Sequence, residues 1–192
     1  MTALIGLQLY SVREELSRDF SGVIKQIAKF GYAGVETAGF KNVTAKEAAR
    51  IFSDFGLQVS SAHTPMPLGE TKNEALDRVK ALGCSRMIGG RGPKDFETVE
   101  LIRKSCDAFN EAATVAAENN LTFGIHNHWW EFLRVEGKPV YRIMQDMLDP
   151  RIFFQIDTYW VQTAGMDPTA VVKELGERAP LLHITEGLGH GK

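Results

Sequence analysis

The chain has 192 residues, 44% of them hydrophobic, with 22 basic against 24 acidic side chains and a formal charge of −2. Those figures suit one soluble domain, residues 1–192, with a sizeable core. They supply no broad basic field for nucleic acid or an anionic membrane surface, and no apolar run approaches the ~20 residues that would span a bilayer. The opening stretch MTALIGLQLYSVRE has no charged n-region and no cleavable apolar segment, so it reads as mature sequence. Cys84 and Cys106 lack any CxxC or zinc-ribbon spacing and read as buried thiols of a reducing cytoplasm.

A loose unit recurs along the chain: an amphipathic helix, a Gly, Asn or Pro stop, then a short apolar strand with a polar end. Strand one is IGLQLYS. Helix one carries Phe20, Val23, Ile24 and Ile27 at i, i+3, i+4, i+7 spacing, stops at Gly31, and leads into strand two, AGVET. Thr44 with Glu47 predicts a capping box for helix two, which buries Ala48, Ile51, Phe52 and Phe55 before Gly56 and strand three, LQVSSAH. Thr71 with Glu74 predicts the same device for helix three, with Leu76, Val79 and Leu82 inside and Gly83 before CSRMIGG. Helix four runs from about Phe96 to Asn119 and precedes LTFGIHNH. Helix five, marked by Val140, Ile143, Met144 and Met147, precedes RIFFQID. Asp167 and Pro168 are an N-cap and N1 pair for helix six, before PLLHITE.

Strict alternation means parallel strands joined by right-handed crossovers, either an open doubly wound sheet or a (β/α)₈ barrel. The junction LQLYSVREEL holds no glycine-rich phosphate loop, which weakens the dinucleotide-binding form of the open sheet. A barrel places its site at the carboxyl ends of its strands. Those ends carry Gln8 and Tyr10, Glu36, His63, the GGRG of residues 89–92, His126 and His128, Asp157, and His183 with Glu186; four of the five histidines fall there. That clustering favours a shared polar site over scattered core histidines. His126 and His128 share one strand face while Asn127 takes the other. An imidazole, Asp157 and His183 make a donor set that Mn²⁺, Zn²⁺ or Co²⁺ accepts. The GGRGP segment reads either as an anion cradle or as a plain loop.

The pieces GLQLYSVR, FGYAGVE, SSAH, GIHNHWWEF, IDTYW with AGMDP, and LLHITEG run through the chain in order. In these the sequence resembles the xylose-isomerase-like barrel superfamily, specifically its sugar phosphate isomerase/epimerase group in an HNH-bearing branch. The resemblance implies an α/β fold, a (β/α)₈ TIM barrel with a divalent cation, Mn²⁺ first among Mn²⁺, Zn²⁺, Co²⁺ and Mg²⁺. Asp157 and His183 match the family's strand-six and strand-seven ligands. His126 stands where a strand-five Glu is usual, and Trp160 replaces a histidine common three residues after the Asp. Relatives continue for ~60 residues more of the ~250-residue barrel. The chain therefore reads as an incomplete barrel of about seven strands, truncated at its carboxyl end and without the strand-eight ligand. Weak metal binding and low activity are expected of it alone.

The function implied is a sugar (phosphate) isomerase or epimerase acting by proton transfer alpha to a carbonyl through an enediolate. On this reading His126, Asp157 and His183 would hold the metal, His128 or Glu131 would be the base, and Glu36 the other proton carrier. Gln8, His63 and Trp160 would orient hydroxyls and cover the sugar. A dehydratase acting on an inositol-type ketone is close chemistry. The non-enzyme rival is a silent truncated barrel that binds a sugar or a subunit. The implied partner is a small carbohydrate, with no nucleic acid and no membrane, and the unpaired barrel edges favour a homo-oligomer.

Overall fold

Gly31, Gly56 and Gly83 have φ of 85°, 72° and 65°, and Asn120 has φ of 58°. Each follows the end of a helix, in the left-handed conformation that stops one, as the sequence predicts. The structure is a computed structural model and describes residues 3–185 and Gly187. The chain divides into two compact units: residues 1–87 with 119–121, and residues 88–118 with 122–192.

In the first unit, β1 (Gly6–Gln8) leads through a 3-10 turn, Leu9–Val12, into α1 (Arg13–Arg18) and α2 (Phe20–Lys29). Then come β2 (Gly34–Thr37), α3 (Ala45–Asp54), β3 (Gln58–His63) and α4 (Lys72–Ala81). The strands β1, β2 and β3 pair in parallel. Ile24, Ile27, Val35, Phe52, Ala62, Leu76 and Val79 form the core, and the rings of Phe20, Phe40 and Phe52 pack with centroids 5.5–6.2 Å apart. Thr44 and Glu47 form the predicted capping box, and Glu47 is held below the ordinary carboxylate range by those hydrogen bonds. The box expected over Thr71 and Glu74 does not form. Thr71 has helical φ and ψ, continuing a turn from Gly69, and its hydroxyl donates instead to the carbonyls of Met66 and Leu68. Glu74 pairs with Arg78 at 2.7 Å. Strand one also ends earlier than expected, so Tyr10 lies in the turn, with the Arg13 guanidinium 4.3 Å from its ring centre.

The next strand, β4 (Arg86–Gly89), straddles the division between the units. The second unit contains α5 (Val99–Glu118) and β5 (Thr122–His126). A two-stranded hairpin follows, β6 (Arg134–Val135) with β7 (Lys138–Pro139), and then α6 (Val140–Met147), β8 (Phe153–Asp157), α7 (Thr158–Thr163), α8 (Pro168–Leu175) and β9 (Leu181–His183). β8 runs parallel to both β5 and β9, with His126 level with Gln155 and Asp157 level with His183. Every residue of β8 is buried, as a strand covered on both faces must be. Alternation sorts the side chains. Ile125, Asn127, Phe154 and Ile156 line a small cavity with Tyr141, Met144 and Leu175. His126, Gln155, Asp157 and His183 occupy the other face. Among the described residues no helix is long and apolar enough to cross a membrane.

Candidate functional site

Three neighbouring parallel strands in the second unit end in His126, Asp157 and His183. The rings of His126 and His183 have centroids 5.0 Å apart, and each offers a ring nitrogen within 4.8 Å of the other. His183 Nδ1 lies 3.7 Å from Asp157 Oδ2. Asp157 owes its orientation to α7: its Oδ1 accepts from the backbone N–H of Tyr159 and Trp160, making it the helix N-cap. The second oxygen is thereby turned toward His183.

His128 lies beyond β5 and stacks on Trp130, centroids 4.2 Å apart and planes 12° from parallel. It also meets His126 edge-on at 4.9 Å and Trp160 at 6.0 Å. Trp129 packs edge-on to Trp130 and Tyr159 edge-on to Trp160, so each of the two indoles that border this imidazole is backed by a second half-buried aromatic side chain. The sequence predicts Trp160 at the site.

Glu131 belongs to the opposite side of β5. Its carboxyl is 2% exposed and lines the cavity with Ile125, Asn127, Phe132, Tyr141 and Met144, a space of about 10 Å³ that matches one water. Oε2 accepts from the backbone N–H of His128 at 2.9 Å, while Oε1 has no hydrogen-bond partner among the described residues. Burial pushes the carboxyl up to about 8, against the lowering pull of the His128 and Glu131 backbone N–H groups and the Trp130 indole. The structure thus separates the two expected bases: His128 shares the histidine cluster, and Glu131 pins the backbone of His128 from behind.

Sequence reasoning missed Asn127. It is 3% exposed, accepts from the Asp157 N–H at 2.9 Å, and donates to the carbonyls of Asp157 and His128, each at 3.3 Å. The available signal was its place between two histidines: a polar side chain turned toward the helices needs a partner.

In the first unit Glu36, 5% exposed, lies level with Gln8 on β1. A bulge in the pairing of β2 with β3 brings Glu36 level with Ser61. Ser61 donates a short hydrogen bond to Oε2, and His63 Nε2 sits 3.0 Å from Oε1. Ser61 is a second residue that sequence reasoning did not single out. The GGRGP loop answers its own charge: Arg91 Nη1 is 3.6 Å from Asp95 Oδ1, and the Gly92 N–H donates to Asp95 Oδ2. That favours the plain loop over the anion cradle. Glu186 lies outside the described residues.

Residues 24–191 match the xylose isomerase-like TIM barrel family. Two solved structures from Parabacteroides distasonis ATCC 8503, each described as a sugar phosphate isomerase/epimerase, are 26% identical to the chain. One has a TM-score of 0.85 over 96% of this chain and 79% of its own, the other 0.81 over 96% and 76%. The AP endonuclease, family 2, from Brucella melitensis has a TM-score of 0.73 at 15% identity, over 94% of this chain and 78% of its own, and shares the fold. No curated protein matches the chain.

Proposed function

The chain belongs to the xylose isomerase-like TIM barrel family, and on that premise we propose that it is a sugar isomerase or epimerase, moving a proton alpha to a carbonyl through an enediolate. Likeness to two structures described as sugar phosphate isomerase/epimerase supports the class. The observation that carries the reading is the place of His183 between the other two, with a ring nitrogen within 4.8 Å of one on His126 and Nδ1 3.7 Å from Asp157 Oδ2.

These three side chains would hold a divalent cation, Mn²⁺ first among Mn²⁺, Zn²⁺, Co²⁺ and Mg²⁺. The donor set fits. His183 Nδ1 and Asp157 Oδ2 lie 3.7 Å apart, against ~3.4 Å for two ligands each ~2.1 Å from a tetrahedral Zn²⁺. The cation would supply positive charge to the oxygens of the enediolate.

The chain's own groups would do the rest. His128 is the proposed base, because imidazole titrates near neutral pH without special tuning. Its stack on Trp130 fixes the ring plane, and the Glu131 carboxyl oxygen on its N–H fixes the backbone. Burial favours the protonated form of Glu131, which would serve as a positioning residue. Trp160 borders His128 and would cover one face of the sugar. In the first unit the Glu36–His63 pair has the makings of a proton carrier, with one carboxylate oxygen on the imidazole and the other on Ser61.

The test is proton exchange. The protein with Mn²⁺ is incubated in D₂O with a panel of ketoses and aldoses, and NMR follows deuterium at the carbon alpha to the carbonyl. Exchange into one sugar class, lost when the metal is chelated, is the expected result. Absence of exchange from every sugar, with Mn²⁺ bound, would overturn the assignment.

A further inference from the structure

The rungs pairing β5 with β8 run from Gly124 opposite Phe153 to His126 opposite Gln155. Beyond His126 the chain leaves the strand for the turn at Trp130–Phe132. Asp157, two residues past the last rung, is therefore not held to β5 by the ladder. Asn127 holds it instead. The side-chain amide accepts the Asp157 N–H and donates to the Asp157 carbonyl, copying with a side chain the two-point contact that a strand would make. The same NH₂ also donates to the carbonyl of His128. These partners, one N–H donor and two carbonyls, dictate which end of the amide is oxygen.

We infer that Asn127 is the positioning residue of the site, setting from behind the sheet the spacing between the His126–His128 segment and Asp157. The inference rests on the proposed reading of His126, Asp157 and His183 as cation ligands. Asn127 acts through backbone, on the two chain segments from which the donors project. The Asp157 carboxylate then has little freedom left, because Oδ1 is taken by the start of α7 and the main chain by Asn127. Groups that orient metal ligands in this way alter metal affinity by about 10–100-fold when removed.

The second unit contains its own control. Asn110, on α5, makes the same kind of bridge, accepting the Asp149 N–H at 2.7 Å and donating to the Met147 carbonyl at 3.0 Å. Those backbone groups precede β8, at the other end of that strand from Asp157. Removing either amide strands buried or half-buried backbone groups, so both losses cost stability. Only one of them bears on the site.

The experiment titrates Mn²⁺ into the full chain and its Asn127→Ala and Asn110→Ala variants, reading free Mn²⁺ by electron paramagnetic resonance, with Tm measured in parallel. Asn127→Ala should weaken Mn²⁺ binding tenfold or more. Asn110→Ala should lower Tm comparably and leave Mn²⁺ affinity within twofold of the original chain. Should Asn127→Ala not fold, Asn127→Ser, which keeps a hydroxyl, is read against the same thresholds. Mn²⁺ affinity unchanged on loss of Asn127, or equally weakened on loss of Asn110, overturns the inference while leaving the metal reading standing. An original chain that binds no Mn²⁺ instead removes the metal reading, and the inference with it.

Discussion

Replacing Glu131 with glutamine removes a titration without removing a shape. In the folded chain the carboxyl is pushed from 4.5 up to about 8, with burial as the largest cause. The cavity lining offers one other titratable group, Tyr141, whose phenol is itself raised by burial and by the hydrogen bond to Glu174. The folded state therefore keeps a proton that the unfolded chain gives up near pH 4.5. Unfolding releases that proton between pH 4.5 and 8, so stability is fully present below 4.5 and falls as pH rises through 8. The slope is about 1.4 kcal/mol per pH unit, on the order of 4 kcal/mol between pH 5 and pH 8. A glutamine amide oxygen in the same place accepts the His128 N–H equally well, and the amide cannot titrate. Urea unfolding followed by far-UV circular dichroism at pH 5, 6, 7 and 8 should show the two proteins nearly matched at pH 5. The Glu131→Gln variant should gain steadily on the original above it. Parallel stability curves would mean that Glu131 is ionised in the folded chain, and the burial argument would fail. Turnover adds a second reading: Glu131→Gln should keep most of its activity at pH 7 if His128 is the base, and lose it if Glu131 is.

Asp157→Asn should keep the Oδ1 cap on α7, and so stay within a few degrees of the original Tm, while losing Mn²⁺ affinity tenfold or more. An unchanged Mn²⁺ titration would remove Asp157 from the donor set. Two glycine substitutions should differ by what they meet. A Cβ on Gly34 presses on the backbone carbonyl of Gln58, and one on Gly124 on the ring of Phe153. Overpacking costs ~1–3 kcal/mol, and Gly34→Ala should lie at or above the top of that range because a strand carbonyl cannot swing aside. Equal losses in chemical unfolding would contradict this.

The repeating helix and strand pattern was legible because long amphipathic helices and their glycine stops are local signals. Phe20 to Ile27 and Ile102 to Phe109 need only i, i+3, i+4 spacing to be recognised. What escaped is short or tertiary. The six-residue α7, TYWVQT, is, apart from Gln162, built of β-branched and aromatic residues with poor helix propensity, and only the Asp157 carboxylate announces it. The hairpin of β6 and β7 turns on Glu136 and Gly137, both at positive φ, and glutamate rarely marks such a turn. The Thr71 box failed because a capping motif needs an extended cap residue, and the turn from Gly69 had already committed Thr71 to helical angles. At the site, period-two alternation suggested that His126 and His128 share a face; β5 ends at His126, and the two rings nevertheless meet at 4.9 Å. The same rule gave no warning that Asn127 and Glu131, on the other face, would fasten Asp157 and His128 from behind. The Asn127 bonds join residues 127 and 157, and no spacing along the chain reveals them.

Asp157 joins stability and function in one side chain. A carboxylate free to rotate would have to be ordered when its ligand arrives, which weakens binding by the entropy lost. Here the ordering is done during folding: two N–H groups at the start of α7 hold one oxygen, and the Asn127 amide holds the backbone on either side. What is left facing His183 is a single oxygen with nowhere else to turn. The arrangement explains why the sequence signal at this position was so plain, since a charge closing the apolar run RIFFQI is tolerated only where its oxygens are employed. It also explains why removal and neutralisation of the group should part ways. Loss of the whole side chain would uncap a helix whose residues form it poorly. The amide would preserve the helix and leave only the charge to be missed.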